Sequence, residues 1–150
     1  MIRRALPEAL GLLLLALPPA ALSYFVHPDA ALHRDANEPL PEYHLTLAQA
    51  EALVADATTP PLWIDARPPS AYSAGHYAGA INLPPAEWDR HFPQLLPHWA
   101  PDRIIIVYCS STSCDASDQV ARRLRRELGQ QEKIWVLHSG WSALQDTVKP

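Results

Sequence analysis

The residues of this chain best suited to covalent chemistry are its two cysteines, Cys109 and Cys114, five positions apart. Cys109 follows the apolar run Ile104-Ile105-Ile106-Val107-Tyr108 and precedes the small polar stretch Ser110-Ser111-Thr112-Ser113. Residues of that size let a loop curl tightly, so that backbone N–H groups turn inward toward a sulfur. The start of a following helix adds partial positive charge. Both effects favour a thiolate, the reactive form of cysteine, so Cys109 is the candidate nucleophile. Two cysteines exclude a multi-disulfide scaffold and a cysteine-rich zinc site. The seven histidines show no helical metal-binding spacing, so no metal and no cofactor is expected.

The elements that must position Cys109 alternate between strand and helix signals. Thr46 with Gln49 forms a capping box, and Leu47, Ala50, Leu53 and Val54 give the helix after it an apolar stripe. Leu62-Trp63-Ile64 reads as a buried strand running into Asp65. Ser70 is placed to cap a brief helix that stops at Gly75, and Ile81-Asn82-Leu83 reads as another short strand. A helix is expected over 87–96, interrupted by Pro93. Residues 103–108 have the length and continuous apolarity of a central parallel strand covered on both faces. Ala116, Val120, Leu124 and Leu128, with Ala121, form the clearest amphipathic helix, stopped by Gly129. Ile134-Trp135-Val136-Leu137 is the next buried strand, and a short helix begins at Trp141. This alternation predicts an α/β fold of three layers, α/β/α, around a mainly parallel central sheet. Ligands of such sheets bind beyond the C-terminal ends of the strands, where Cys109 lies.

Composition narrows the function further. A chain of 150 residues with 48% hydrophobic content supports one packed domain, and a net charge of −4 excludes a nucleic-acid surface. The run Arg122, Arg123, Arg125, Arg126 is expected to be the solvated face of a helix. At the other end, Arg3 and Arg4 precede an uncharged, leucine-rich segment over 9–26. Its length suits either a membrane anchor, with Tyr24 and Phe25 at the interface, or a signal peptide cleaved near Ala21 and Ser23. Both place the rest of the chain outside the cytoplasm, as a domain anchored to the inner membrane or secreted to the periplasm of a bacterial cell. The chain thus divides into a membrane-directed segment (1–26), a proline-punctuated linker (27–42) and a globular domain (43–150).

Several of these residues carry a resemblance. Asp65-Ala66-Arg67, Ala71-Tyr72 and Gly75-His76-Tyr77-Ala78-Gly79-Ala80-Ile81-Asn82-Leu83-Pro84 closely resemble the N-terminal signature of rhodanese domains. The strand into Tyr108-Cys109 and Leu137-His138-Ser139-Gly140-Trp141 resemble that family's catalytic strand and C-terminal Gly-Gly-Trp region. The resemblance covers the chain from Thr46 to Leu144. It implies a sulfurtransferase in which Cys109 carries a persulfide and passes sulfur to a thiophilic acceptor such as cyanide or a thiol. It also implies that Asp65, Arg67 and His76 are architectural supports of the loops around the site.

One departure bears on the substrate. Many active rhodaneses carry an arginine five residues after the catalytic cysteine, where it helps bind an anionic donor. Here Cys114 stands at that position, followed by Asp115. A bidentate guanidinium is hard to replace for oxyanions, which argues against thiosulfate as the preferred donor and against related phosphatases. The pair offers a dithiol instead. Cys114 is a candidate resolving thiol for a persulfide on Cys109, or the two can form a disulfide in an oxidising compartment. Three readings stand: a sulfurtransferase, a dithiol redox or persulfide-sensing module with a redox partner protein, and a catalytically silent binding module.

Overall fold

The computed structural model describes residues 40–55, 57–111 and 115–145. The segment over 1–26, most of the linker, and Thr112, Ser113 and Cys114 lie outside the described residues. The elements run β1 (His44–Leu45), α1 (Leu47–Ala55), β2 (Leu62–Asp65), α2 (Pro69–Ala74) and β3 (Ile81–Asn82). They continue with α3 (Trp88–Leu95), β4 (Ile105–Tyr108), α4 (Ala116–Leu128), β5 (Ile134–Leu137) and α5 (Gly140–Leu144). Short 3-10 turns, Pro85–Glu87 and Leu96–His98, flank α3.

The five strands form one sheet in the order β1-β5-β4-β2-β3, and every pairing is parallel. β4 is central, and all four of its residues are buried. Alternation along it divides the core between the two faces of the sheet. Ile105 and Val107 join Ile64, Ile134, Val136 and, from α4, Val120 and Leu124 on one side. Ile106 and Tyr108 join Leu45, Ala50, Leu137 and Leu144 on the other. Burial on both faces explains why β4 reads as an unbroken apolar run.

Two helix ends are fixed by local chemistry. The Thr46 backbone N–H donates to Gln49 Oε1 at 2.8 Å, and the Gln49 N–H donates to Thr46 Oγ1 at 3.2 Å, so the capping box forms as expected. Gly129 ends α4 at φ +67° and donates its N–H to the Arg125 carbonyl.

Four expectations are corrected. Ser70 does not cap α2; Pro69 enters at the first helical position and Pro68 precedes it with no side-chain cap. Leu53 is exposed, because the short α1 turns only Ala50 fully inward. The central strand starts at Ile105 rather than Arg103, whose guanidinium instead donates to the Pro60 and His98 carbonyls. The arginine run is only partly solvated. Arg125 donates to the Ile134 carbonyl at 2.6 Å and lies 4.5 Å from the Tyr43 ring centroid, and Arg123 stacks at 4.5 Å over Trp88. β1, two residues at the sheet edge, has no counterpart among the strands expected from the sequence.

Candidate active site

Cys109 is the first residue beyond β4 and is buried. Parallel strands bring their C-terminal ends to one side of the sheet, so the ends of the neighbouring strands β2 and β5 flank it. What fixes its backbone is the corner between β5 and α5. Ser139 and Gly140 both take left-handed conformations, φ +64° and +50°. That turn lets the Trp141 N–H donate to the Cys109 carbonyl at 2.6 Å. Ser142 Oγ donates to the next carbonyl, Ser110, at 3.1 Å. Two successive carbonyls at the head of the loop are therefore held by α5. Ser110 and Ser111 are exposed. The amide cradle expected from the loop falls on Thr112, Ser113 and Cys114, outside the described residues.

Behind this corner lies a buried polar cluster. Arg67 donates through Nε to Asp65 Oδ1 at 2.9 Å and through Nη2 to Oδ2 at 2.6 Å, a forked pair with both side chains nearly sealed from solvent. The same Nη2 donates to the Gly75 carbonyl at 2.7 Å. The guanidinium stacks 4.3 Å from the Trp141 ring centroid and 5.6 Å from that of Tyr108. Burial pulls the Arg67 pKa down, but hydrogen bonding and charge from Asp65 more than offset it, and the net direction is up. Arg67 is a fixed cation that ties β2 to the α5 corner.

Tyr108 and Asn82 complete the frame. Tyr108 Oη accepts the Tyr77 N–H at 3.1 Å, and burial holds its phenol far above its usual pKa, so it stays neutral. Asn82 Nδ2 donates to the carbonyls of Asp65 and Arg67, closing the β2 turn from the next strand. Sequence reasoning missed both as site residues. The signal for Tyr108 was a lone hydroxyl inside an aliphatic run, which must find a partner when buried.

The expected supports therefore separate. Asp65 and Arg67 join the wall that carries Trp141 next to Cys109. His76 stacks on the Tyr72 ring at 3.8 Å, with Nδ1 at 3.0 Å from the Tyr72 carbonyl, so its contacts run to α2. Among the described residues no cluster of three or more His, Cys, Asp or Glu side chains is arranged to hold a metal. Cys109 is in a disulfide. Cys114 is the chain's other cysteine.

A parallel α/β domain with a cysteine seated past its central strand is the class that fold and site define. The sequence profile of the rhodanese-like domain matches residues 46–147, and the chain belongs to that family. Its fold is similar to that of a protein from Bacillus halodurans, at 17% identity and a TM-score of 0.55, covering 87% of this chain and 82% of that one. It is also similar to the rhodanese-like domain of an Anabaena protein, at 21% identity and a TM-score of 0.52, covering 73% and 78%. An HTH-type transcriptional regulator of Mycobacterium tuberculosis is 37% identical over 70 residues, which make up 47% of this chain and 29% of the regulator. The chain thus spans under a third of that relative's length.

Proposed function

We propose that this protein is a rhodanese-type sulfurtransferase. Cys109 carries sulfane sulfur as a persulfide and passes it to a thiophilic acceptor, a thiol or cyanide. The observation that carries the reading is the clamp on Cys109. Two hydrogen bonds from α5 hold the carbonyls of Cys109 and Ser110, and the left-handed Gly140 packs against the Cys109 backbone. A merely structural cysteine at a strand end needs no such second element. Asp65, Arg67 and Trp141 act as supports in this reading, and no cofactor is required.

The disulfide at Cys109 favours a second reading, a dithiol redox or persulfide-sensing module in which Cys114 is the resolving thiol and a redox partner protein restores the dithiol. A single experiment separates the two. The reduced protein is treated with inorganic polysulfide, and intact mass is followed with and without a thiol acceptor. A gain of one sulfur on Cys109, lost to the acceptor and abolished in Cys109→Ser, is expected. A protein that only cycles between dithiol and disulfide, with no sulfur retained or passed on, refutes the transferase reading.

The uncharged segment over 9–26 supports a location outside the cytoplasm, anchored at or exported across the inner membrane. Among the described residues no helix is long and apolar enough to cross a membrane.

A further inference from the structure

We propose that the groove between the head of α3 and one face of α4 is a docking site for an extended, acidic segment of a partner polypeptide. It encloses about 260 Å³ and is lined by Pro85, Trp88 and Val120, with Gln119, Arg122 and Arg126 along α4 and Arg123 beside them. Trp88 and Val120 are buried and form an apolar floor, whereas Gln119, Arg122 and Arg126 are exposed.

The arginines of this helix are not equivalent. Arg123 is a fixed wall. Its guanidinium lies 4.5 Å from the Trp88 ring centroid, its Nη2 donates to Asp89 Oδ1 at 3.1 Å, and its Nε lies 3.8 Å from Glu127 Oε1. Two carboxylates thus answer its charge. Arg125 is committed to the Ile134 carbonyl and the Tyr43 ring. Arg122 and Arg126 form no ion pair among the described residues. They stand one turn apart on α4, where like charges repel each other. The chain has 16 acidic against 12 basic side chains, so this concentration runs against its overall sign. Two unanswered guanidiniums over an apolar floor are complementary to anionic oxygens, which they bind through paired N–H donors.

Spacing decides which anion fits. Arg122 and Arg126 are separated by a rise of about 6 Å along the helix. In an extended chain, alternate side chains leave the same face about 6.6 Å apart. Carboxylates on alternate residues therefore meet one guanidinium each, a match that a single small oxyanion does not make. Gln119, about 4.5 Å before Arg122, carries an uncharged amide that both donates and accepts, the complement of a peptide group rather than of a third charge. The cavity is also smaller than the roughly 300–1,000 Å³ that encloses a whole small ligand, so it suits side chains of something larger. A flat anionic membrane fits less well, because Asp89 and Glu127 are exposed beside the groove and would repel its headgroups.

The test uses the full chain and two fluorescently labelled peptides of one composition, glutamate with glycine and serine. Glutamates occupy alternate positions in one peptide and adjacent positions in the other, and binding is followed by anisotropy. The alternate peptide should bind at low ionic strength, more tightly than the adjacent one, and weaken as salt rises. Arg122→Gln and Arg126→Gln should each weaken it about two- to fivefold, and Arg122→Glu combined with Arg126→Glu should abolish it. Both side chains are exposed, and thermal unfolding checks that the variants fold. The site does not depend on Cys109 as a sulfur carrier, and binding is measured without that chemistry. No binding of the alternate peptide at low salt, or binding indifferent to both arginines or to glutamate spacing, overturns the proposal. Displacement of the peptide by an equal concentration of inorganic phosphate would mark a small-oxyanion site instead. Sedimentation with phosphatidylserine vesicles that needs the two arginines, without peptide binding, would mark a lipid surface. Either result overturns the proposal as well.

Discussion

Gly140 lies so close to Cys109 that a Cβ on it would stand 2.3 Å from the Cys109 carbonyl oxygen and 2.9 Å from the carbonyl carbon. Those are backbone atoms of Cys109, the proposed nucleophile, so they cannot swing aside as a flexible side chain would. The backbone is also left-handed there, at φ +50°, a second reason why only glycine fits the position.

Gly140→Ala is therefore expected to displace the clamp. The left-handed backbone alone costs roughly 1–2 kcal/mol for a residue with a Cβ, and the clash adds to it. Urea unfolding should show the loss, and persulfide loading of Cys109 should fall in the folded fraction. Wild-type stability and loading in Gly140→Ala would mean that the corner tolerates movement and does not hold the nucleophile.

The Asp65–Arg67 pair yields a second expectation. Both partners are buried, so Asp65→Asn leaves a guanidinium without its counter-charge, a change that typically costs about 3–5 kcal/mol. Arg67→Lys keeps the charge but loses the fork and the stack on Trp141. It should cost less than Asp65→Asn and should still slow sulfur transfer by loosening the α5 corner. Denaturant midpoints for the two variants check the order; equal and negligible shifts would show that the cluster is not a support.

How far the sequence disclosed this arrangement depends on the range of the interaction involved. β4, α4 and β5 were legible because each carries its own periodicity, and the Thr46–Gln49 capping box because its partners are three residues apart. The position of Cys109 followed from the strand before it. β1 was illegible, since His44 and Leu45 form a strand only by pairing with Val136 and Leu137 across the chain. The partly buried Arg125 was likewise hidden, because the Ile134 carbonyl and the Tyr43 ring that hold it come from other elements. Ser139 gave no warning of its left-handed backbone. It stands where the family resemblance suggests glycine.

Tyr108 predicts an alkaline loss of stability. Burial, and then the nearby Asp65 carboxylate, raise its phenol above the ordinary value of about 10, against the lowering pull of the Tyr77 N–H. A group with a raised folded pKa contributes stability fully below its unfolded pKa and loses it as pH climbs from there toward the folded value. Tyr43 and Tyr72 shift in the same direction. Stability measured by urea should therefore fall above about pH 10, and Tyr108→Phe should shallow that fall without abolishing it. An identical slope in the variant would mean that Tyr108 plays no part in the loss.

On the proposed sulfurtransferase reading, donor choice is expected to depend on the residue at position 114, here Cys114. Without a guanidinium at that position, turnover with thiosulfate should be poor, and Cys114→Arg should improve it by supplying a forked oxyanion partner. Steady-state rates with thiosulfate and cyanide make the comparison. Tight saturation of the wild type by thiosulfate would show that another residue binds the anion.

Location is open to a direct test. If the uncharged run over 9–26, which follows Arg3 and Arg4, enters a membrane, its positive flank is expected to stay in the cytoplasm and the following domain to face outward. Alkaline phosphatase fused after Pro150 should be active, because it matures only when exported. An inactive phosphatase, with an active cytoplasmic reporter at the same point, would reverse the orientation. Carbonate extraction then separates the two forms of attachment. An anchor held by Tyr24 and Phe25 at the interface keeps the protein in the membrane pellet. Release into the supernatant with a new N-terminus near Tyr24 marks a cleaved signal peptide and a domain free in the periplasm. An exported domain would also meet an oxidising compartment, so the fraction of Cys109 in a disulfide should be higher in material from the periplasm than in the same chain expressed without residues 1–26.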